Sequence, residues 1–405
     1  MTVGRVARVG PHLRSMGATR WTDALFDELA QQGDPPVDEV VAAHVRTADL
    51  APRELFTNLT AHLRLPPTNR SPVIDAYLAE EPPLPAWADE TRMHRGADFF
   101  DQNGLLIGTA LFCASLPEAY AGARGARVLT LTARMVTDPV RRVYETAQML
   151  VDAMTDGGLE PGKGAGYNDI RRVRLMHAAI RYLVLNDPKV AKTAVPAAFP
   201  SWCLPCGLPV NQEDLFGTLM TFTQTVFESL ERFGVPASDD DAQSYLHRWC
   251  VVGHLLGLRA DLLPLSLEDA RTVTAAIRRR QNAPSEDAQV LTRALVGALQ
   301  ASVRLPVLRP LPPAMIRWLV GPEVAAIDGI KRDPFALAFD GVAGAMRGVG
   351  LEEQHHLMLR VLARQLGAAV LGSFVRAGRS GSRPPFTLPR ALDQRVRSTR
   401  MGWSL

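Results

Sequence analysis

An all-α fold is what this 405-residue sequence predicts, as a single large helical domain. Three observations predict it. Apolar residues recur at spacings of three and four, the period of a helix with one buried face. No run alternates apolar and polar residues long enough to make a convincing strand. The periodic stretches are bounded by helix start and stop residues: Ser, Asp, Asn and Pro before them, Gly and Pro after them. Hydrophobic residues make up 47% of the chain, enough for a large core and too many for a disordered polypeptide.

Taken in order, residues 1–65 read as amphipathic helices with polar breaks, and 66–87 as a proline-rich connector that wraps the surface. Together, 1–89 form an N-terminal extension. A helix-rich core spans 90–265. Its longest apolar run, from Leu105 to Leu116, reads as a buried helix that stops at Pro117. Asp138-Pro139 is a good helix start, with an acceptor at the N-cap and proline at the first helical position. That helix runs to about Thr155 and stops at Gly157-Gly158. Asn168 or Asp169 then caps a helix that ends before Pro188, and Asn211 with Asp214 resembles a capping pair. Further helices are expected over 240–258, 266–281, 286–302, 322–330 and 351–377. Of these, 266–374 pack on the core. The tail, 375–405, carries seven arginines and one aspartate and is expected to be disordered or extended.

Composition excludes some functions. A net charge of +3 is too balanced to imply a nucleic-acid partner. No apolar run reaches the roughly 18 residues of a membrane span, and no secretory signal follows the basic N-terminus, so no integral membrane association is expected. Four cysteines are too few for a disulfide framework. These features lead to the expectation of a soluble cytoplasmic protein.

The chemistry-bearing stretch is Arg174-x-x-His177-x-x-x-Arg181. On a helix these side chains fall within about 60° of one another. Ile170, Val173, Ile180 and Val184 share their face. A histidine in an apolar stripe edged by arginines suits a haem, with imidazole for the iron and guanidinium for the propionates. Buried arginine is costly unless paired, and this helix offers no acid on that face, so a dicarboxylate ligand is the expected partner. On the preceding helix Arg142 and Thr146 lie at i, i+4, and a short connection lets the two faces meet.

Other motifs read as structural. Gly157-x-x-x-x-Gly162-Lys163 lacks the hydroxyl residue of a phosphate loop and follows a helix rather than a strand. Cys203-x-x-Cys206 has no second pair to complete a zinc site. His247 and His254 lie seven apart on one helix face; either could be a second haem ligand, with core packing as the alternative. His355-His356 is expected to be partly solvated.

The ordered set Arg142-x-x-x-Thr146, Arg174-x-x-His177-x-x-x-Arg181, Gly207-Leu-Pro-Val-Asn-Gln-Glu-Asp214 and Trp249-x-x-Val252-Gly253-x-Leu-Leu-Gly257 resembles the oxygenase family that contains latex-clearing protein (rubber oxygenase) and the MpaB-type oxygenases. The resemblance covers about residues 90–265. It implies an all-α fold with a globin-like core binding one haem b, with His177 as the iron ligand. Arg142, Thr146, Arg174 and Arg181 match the polar residues tied to haem retention and activity. It also implies dioxygen as co-substrate and cleavage of a C=C bond to two carbonyl products. Latex-clearing members carry lysine where this chain has Glu145, which makes Glu145 a candidate distal base. With no signal segment expected, a hydrophobic or isoprenoid-type small molecule fits better than rubber. The alternatives are a haem hydroxylase or oxidase, a haem sensor or carrier without turnover, and a helical interaction protein binding acidic partners.

Overall fold

The computed structural model describes residues 20–52, 71–135, 139–187, 207–303, 305–332, 351–379 and 387–401, with isolated positions among 54–59 and 334–341. The fold is all-α. Among the described residues no strand forms, and a single backbone bridge joins Gly122 to Asn282.

The helices are α1 (Asp23–Ala30), α2 (Pro35–Ala48), α3 (Pro72–Ala79), α4 (Glu90–Ala110), α5 (Leu116–Ala121), α6 (Ala123–Met135), α7 (Pro139–Met154), α8 (Ala165–Asn186), α9 (Gln212–Arg232), α10 (Asp239–Leu255), α11 (Leu267–Gln281), α12 (Glu286–Ser302), α13 (Leu311–Ile327), α14 (Glu352–Arg379) and α15 (Arg390–Met401). Seven of them start where the sequence supplies a side-chain cap. The side chains of Thr22, Ser71, Asp89, Asn211, Ser238, Ser266 and Ser285 each accept a hydrogen bond from the first helical turn.

Helix α4 is the central element. It packs along α10, α14 and α9, and it runs through a π-helical turn, Leu111–Ser115, into α5. Gly96 allows the close crossing with α10: a Cβ there would lie 2.7 Å from the Ser244 carbonyl oxygen. Pro117 does not stop this helix, contrary to the expectation above. It falls just after the wider π turn, as an early residue of α5, where its missing N–H is tolerated. By length and composition, Glu90–Ala121 and Glu353–Ala377 do reach the dimensions of a membrane span. That corrects the expectation drawn from uninterrupted apolar runs. The apolar window is 89% buried within the protein in the first and 44% in the second.

Other boundaries also differ from the sequence reading. Part of the proline-rich connector is helical, because Ser71 caps α3 and Pro72 takes its first position. Helix α8 begins at Ala165 with Gly164 at the N-cap, so neither Asn168 nor Asp169 caps it. The helix expected over 322–330 is the second half of α13, which kinks at Gly321 (φ 80°) before Pro322. Residues 390–401 of the arginine-rich tail form α15, whose Leu392 and Val396 are buried; α15 packs on α14 and α4. His355 is buried rather than partly solvated.

A large core joins α1 and α4 to α15, with Tyr167 and Ile170 of α8 among its members. A second, smaller core joins α2 and α3 to Leu175, Ala178 and Ala179 of α8. Helix α8 is therefore covered on two sides, which fixes its rotation and leaves its Val173–His177–Ile180 stripe facing inward.

Candidate functional site

A cavity of about 330 Å³ lies on that inward stripe, within the roughly 300–1,000 Å³ usual for small-molecule sites. Its wall is mostly apolar. Phe100 comes from α4, Leu111 and Phe112 from the π turn, Leu150 from α7, Phe222 from α9 and Trp249 from α10. The π turn thus belongs to the site, a common place for such turns. His177 and Thr146 both line the cavity, because α7 and α8 pack against each other across a short loop. His177 presents an imidazole with a buried Nδ1 to this wall.

The arginines behave differently from the sequence expectation. Arg174 donates to both carboxylate oxygens of Asp34, at 2.6 and 2.8 Å. Arg181 pairs with Asp38 at 2.8 Å and donates to the carbonyls of Pro209 and Val210. The expectation that these guanidiniums lack acid partners is therefore corrected: the α2 segment supplies both acids. Neither arginine lines the cavity. Burial works against the charge on Arg174, but hydrogen bonds and charge from Asp34 outweigh it and hold its pKa above the ordinary arginine value.

Two glycines admit these pairs. A Cβ on Gly33 would sit 2.8 Å from Arg181 Nε, and one on Gly257 would sit 2.6 Å from the Asp34 carboxylate. Gly257 also has φ 92°, a conformation costly for any other residue. Gln212 ties the same region together. Its Nε2 donates to the carbonyls of Gly33 and Gly257, and its Oε1 accepts from Arg259 N–H.

The Asn211–Asp214 motif thus divides its labour. Asn211 and Asp214 form a capping box at the start of α9. The fully buried Glu213 pairs with Arg124 at 2.9 Å and Arg280 at 3.1 Å. Asp214 lines the cavity, and burial pushes its carboxyl up to about 6, partly offset by Arg124. Val210 lines the cavity in the left-handed region (φ 53°), strained for a β-branched residue and held there by Arg181.

The remaining candidates fall elsewhere. Glu145 is exposed and does not line the cavity. Arg142 lies on α7, but its side chain, like Cys203 and Cys206, is outside the described residues. His247 and His254 do not line the cavity. Both rings meet the edge of Trp87, and His247 Nε2 accepts from Asp89 N–H. Among the described residues no group of three or more His, Cys, Asp or Glu side chains could hold a metal ion.

The chain's residues 98–351 match the family model described as "ER-bound oxygenase mpaB/B'/Rubber oxygenase, catalytic domain". The chain belongs to this family. It is accordingly an oxidoreductase of the oxygenase type. It is similar to the rubber oxygenase of Streptomyces sp. (strain K30), with 24% identity over 344 residues covering 82% of this chain and 81% of that protein. Its fold is similar to the structure of latex clearing protein LCP in the closed state. That likeness has a TM-score of 0.62 and 22% identity, and covers 93% of this chain and 91% of the other. The match begins in α4 and takes in the cavity wall through α13, whereas Asp34 and Asp38, which hold α8, precede it.

Proposed function

We propose that this protein is a haem b-dependent oxygenase that cleaves a C=C bond of a hydrophobic, isoprenoid-type small molecule with dioxygen, giving two carbonyl products. One observation carries the reading. In an oxygenase family, His177 sets a single imidazole in the wall of a large apolar cavity. The donor set fits the group: imidazole is a common haem ligand, and the apolar surround suits a macrocycle. The haem, when bound, supplies the dioxygen chemistry.

The chain's own residues supply the rest. Phe100, Phe112, Leu150 and Phe222 favour a hydrocarbon and exclude water from it. Thr146 offers a hydroxyl from the helix facing His177, with Arg142 one turn earlier on α7. Arg174 and Arg181 act as positioning residues. Through Asp34 and Asp38 they fix α8, and with it the direction of His177. A ligand carboxylate at either arginine would compete with these acids for the guanidinium. Glu145 is exposed on α7 and does not line the cavity, so no role is proposed for it.

The test is the visible absorption spectrum of purified protein, wild type beside His177→Ala. The expected result is an intense haem band in the wild type that is lost or shifted in the variant. A wild type that shows no such band even after haem is supplied overturns the reading. Product analysis with an alkene substrate then distinguishes cleavage, which gives two carbonyl fragments, from hydroxylation, which keeps the chain intact.

A further inference from the structure

Beside the large cavity lies a small one of about 60 Å³ with a different character. The large cavity is apolar. The small pocket has a mixed lining, with Glu118, Arg278, Gln281 and Asn282 beside Met220 and Ile277. Thr218 is exposed, and Arg278, Gln281 and Asn282 are half-buried, so this pocket reaches the surface between α5, α9 and α11. A water molecule needs roughly 10–15 Å³, so several fit. The two spaces meet at Asp214, Thr218 and Thr221, which line both.

Asp214 is the carboxyl group at this junction. Its Oδ2 accepts a long bond of 3.4 Å from Asn211 N–H, while Oδ1 is buried and receives no hydrogen bond from any described residue. A buried carboxyl oxygen without a donor favours the protonated form. Among the charged groups around it, Arg124 and Arg181 favour the carboxylate, while Glu213 opposes it. The result is a carboxyl that titrates at about 6, raised chiefly by burial. Asn211 could have capped α9 without an acid three residues on, so capping alone does not require Asp214 to face the cavity.

We propose that the small pocket is a water-filled port through which the Asp214 carboxyl exchanges protons between bulk solvent and the large cavity. Its use in turnover rests on the reading of that cavity as the reaction site; the port itself does not. A proton that Asp214 gives into the cavity is returned to Asp214 by the reacting molecule, and the port keeps the carboxyl in equilibrium with bulk solvent between turnovers. Addition of both oxygen atoms across a C=C bond takes up no net proton, so the port serves transient transfer and charge balance is kept.

The experiment is hydrogen–deuterium exchange followed by infrared spectroscopy of the full chain at about pH 5, where Asp214 is mainly protonated. The carboxylic-acid band lost in Asp214→Asn identifies the group. Gly122 lines the small pocket but not the large cavity, and a Cβ there meets nothing closer than 3.4 Å. Gly122→Leu therefore places apolar bulk in the port. In the wild type the Asp214 band should take up deuterium within the mixing time. In Gly122→Leu it should slow by roughly tenfold or more, because exchange then waits for local opening. Gln281→Met, which removes a polar wall, should act in the same direction and serves if the first variant does not fold. Equal rates in wild type and a folded variant, a wild-type band that resists exchange, or no band assignable to Asp214 each overturn the proposal. The measurement uses neither haem nor turnover. A protein that exchanges as expected but binds no haem sinks only the oxygenase mechanism.

Discussion

Replacing Asp34 by Ala should destabilise the ligand-free protein by about 3 kcal/mol, since it removes one partner of a largely buried ion pair. Asp34 is 5% exposed and Arg174 is 24% exposed in their side chains. Without Asp34 the guanidinium keeps its desolvation and loses both short hydrogen bonds. The nearest other acid, Asp38, favours the Arg174 charge only at a distance, because its carboxylate hydrogen-bonds Arg181. Arg174→Met should cost a similar amount, because Asp34 is then the buried charge without its cation. The double variant Asp34→Leu/Arg174→Met should lie closer to wild type than either single change, since both charges leave together. Urea denaturation of the four proteins makes the comparison. The same series separates two roles for Arg174. If it existed to hold a ligand carboxylate, its removal would leave the ligand-free protein within about 0.5 kcal/mol of wild type. As a positioning residue it carries its energy without any ligand.

Those ion pairs mark where sequence reasoning reached its limit. The helical period, the capping pair at Asn211 and Asp214, and the shared orientation of Thr146 and His177 are local properties. Each depends on residues within a turn or on two helices joined by a short loop, so each was legible. The partners of Arg174 and Arg181 lie 140 and 143 residues earlier in the chain. No periodicity in α8 signals them, and an arginine without an acid on its own face looked like one awaiting a ligand. A signal was present in Asp34 and Asp38, two acids at i, i+4 around the Pro35-Pro36 start of α2, but nothing local tied them to α8. The π turn at Leu111–Ser115 was equally hidden, because its one extra residue per turn has no residue-type signature. Asp214 was read correctly as half of a capping pair. Its second position, on the wall between two cavities, is a property of packing among α5, α6, α9 and α11.

A buried acid far from the ion pairs should govern how stability varies with pH. Asp328 ends α13 and is 1% exposed, with both carboxylate oxygens buried. Burial pushes it up to about 8, with the charge of Glu118 adding to the shift and Thr292 opposing it. The negative end of the α13 dipole acts in the same direction as burial. In the unfolded chain an aspartate titrates near its ordinary value of about 3.9. Between these two values the folded protein holds a proton that the unfolded chain has released. Raising the pH through this window therefore favours unfolding, and the stability that Asp328 retains in acid is lost by the time the pH passes about 8. Over the roughly three pH units from 5 to 8 the loss is up to about 4 kcal/mol, at 1.36 kcal/mol per unit. Asp328→Asn keeps the shape and removes the titration. It should raise stability by about 1.5 kcal/mol at about pH 5, where the unfolded aspartate is already ionised, and by several kcal/mol more at about pH 8. Guanidinium denaturation at the two pH values, variant beside wild type, measures this difference and cancels the titration of every other group. A variant that is no more stable than wild type at the higher pH would show that Asp328 is ionised in the folded protein. The buried end of α13 would then have to supply a partner for that charge.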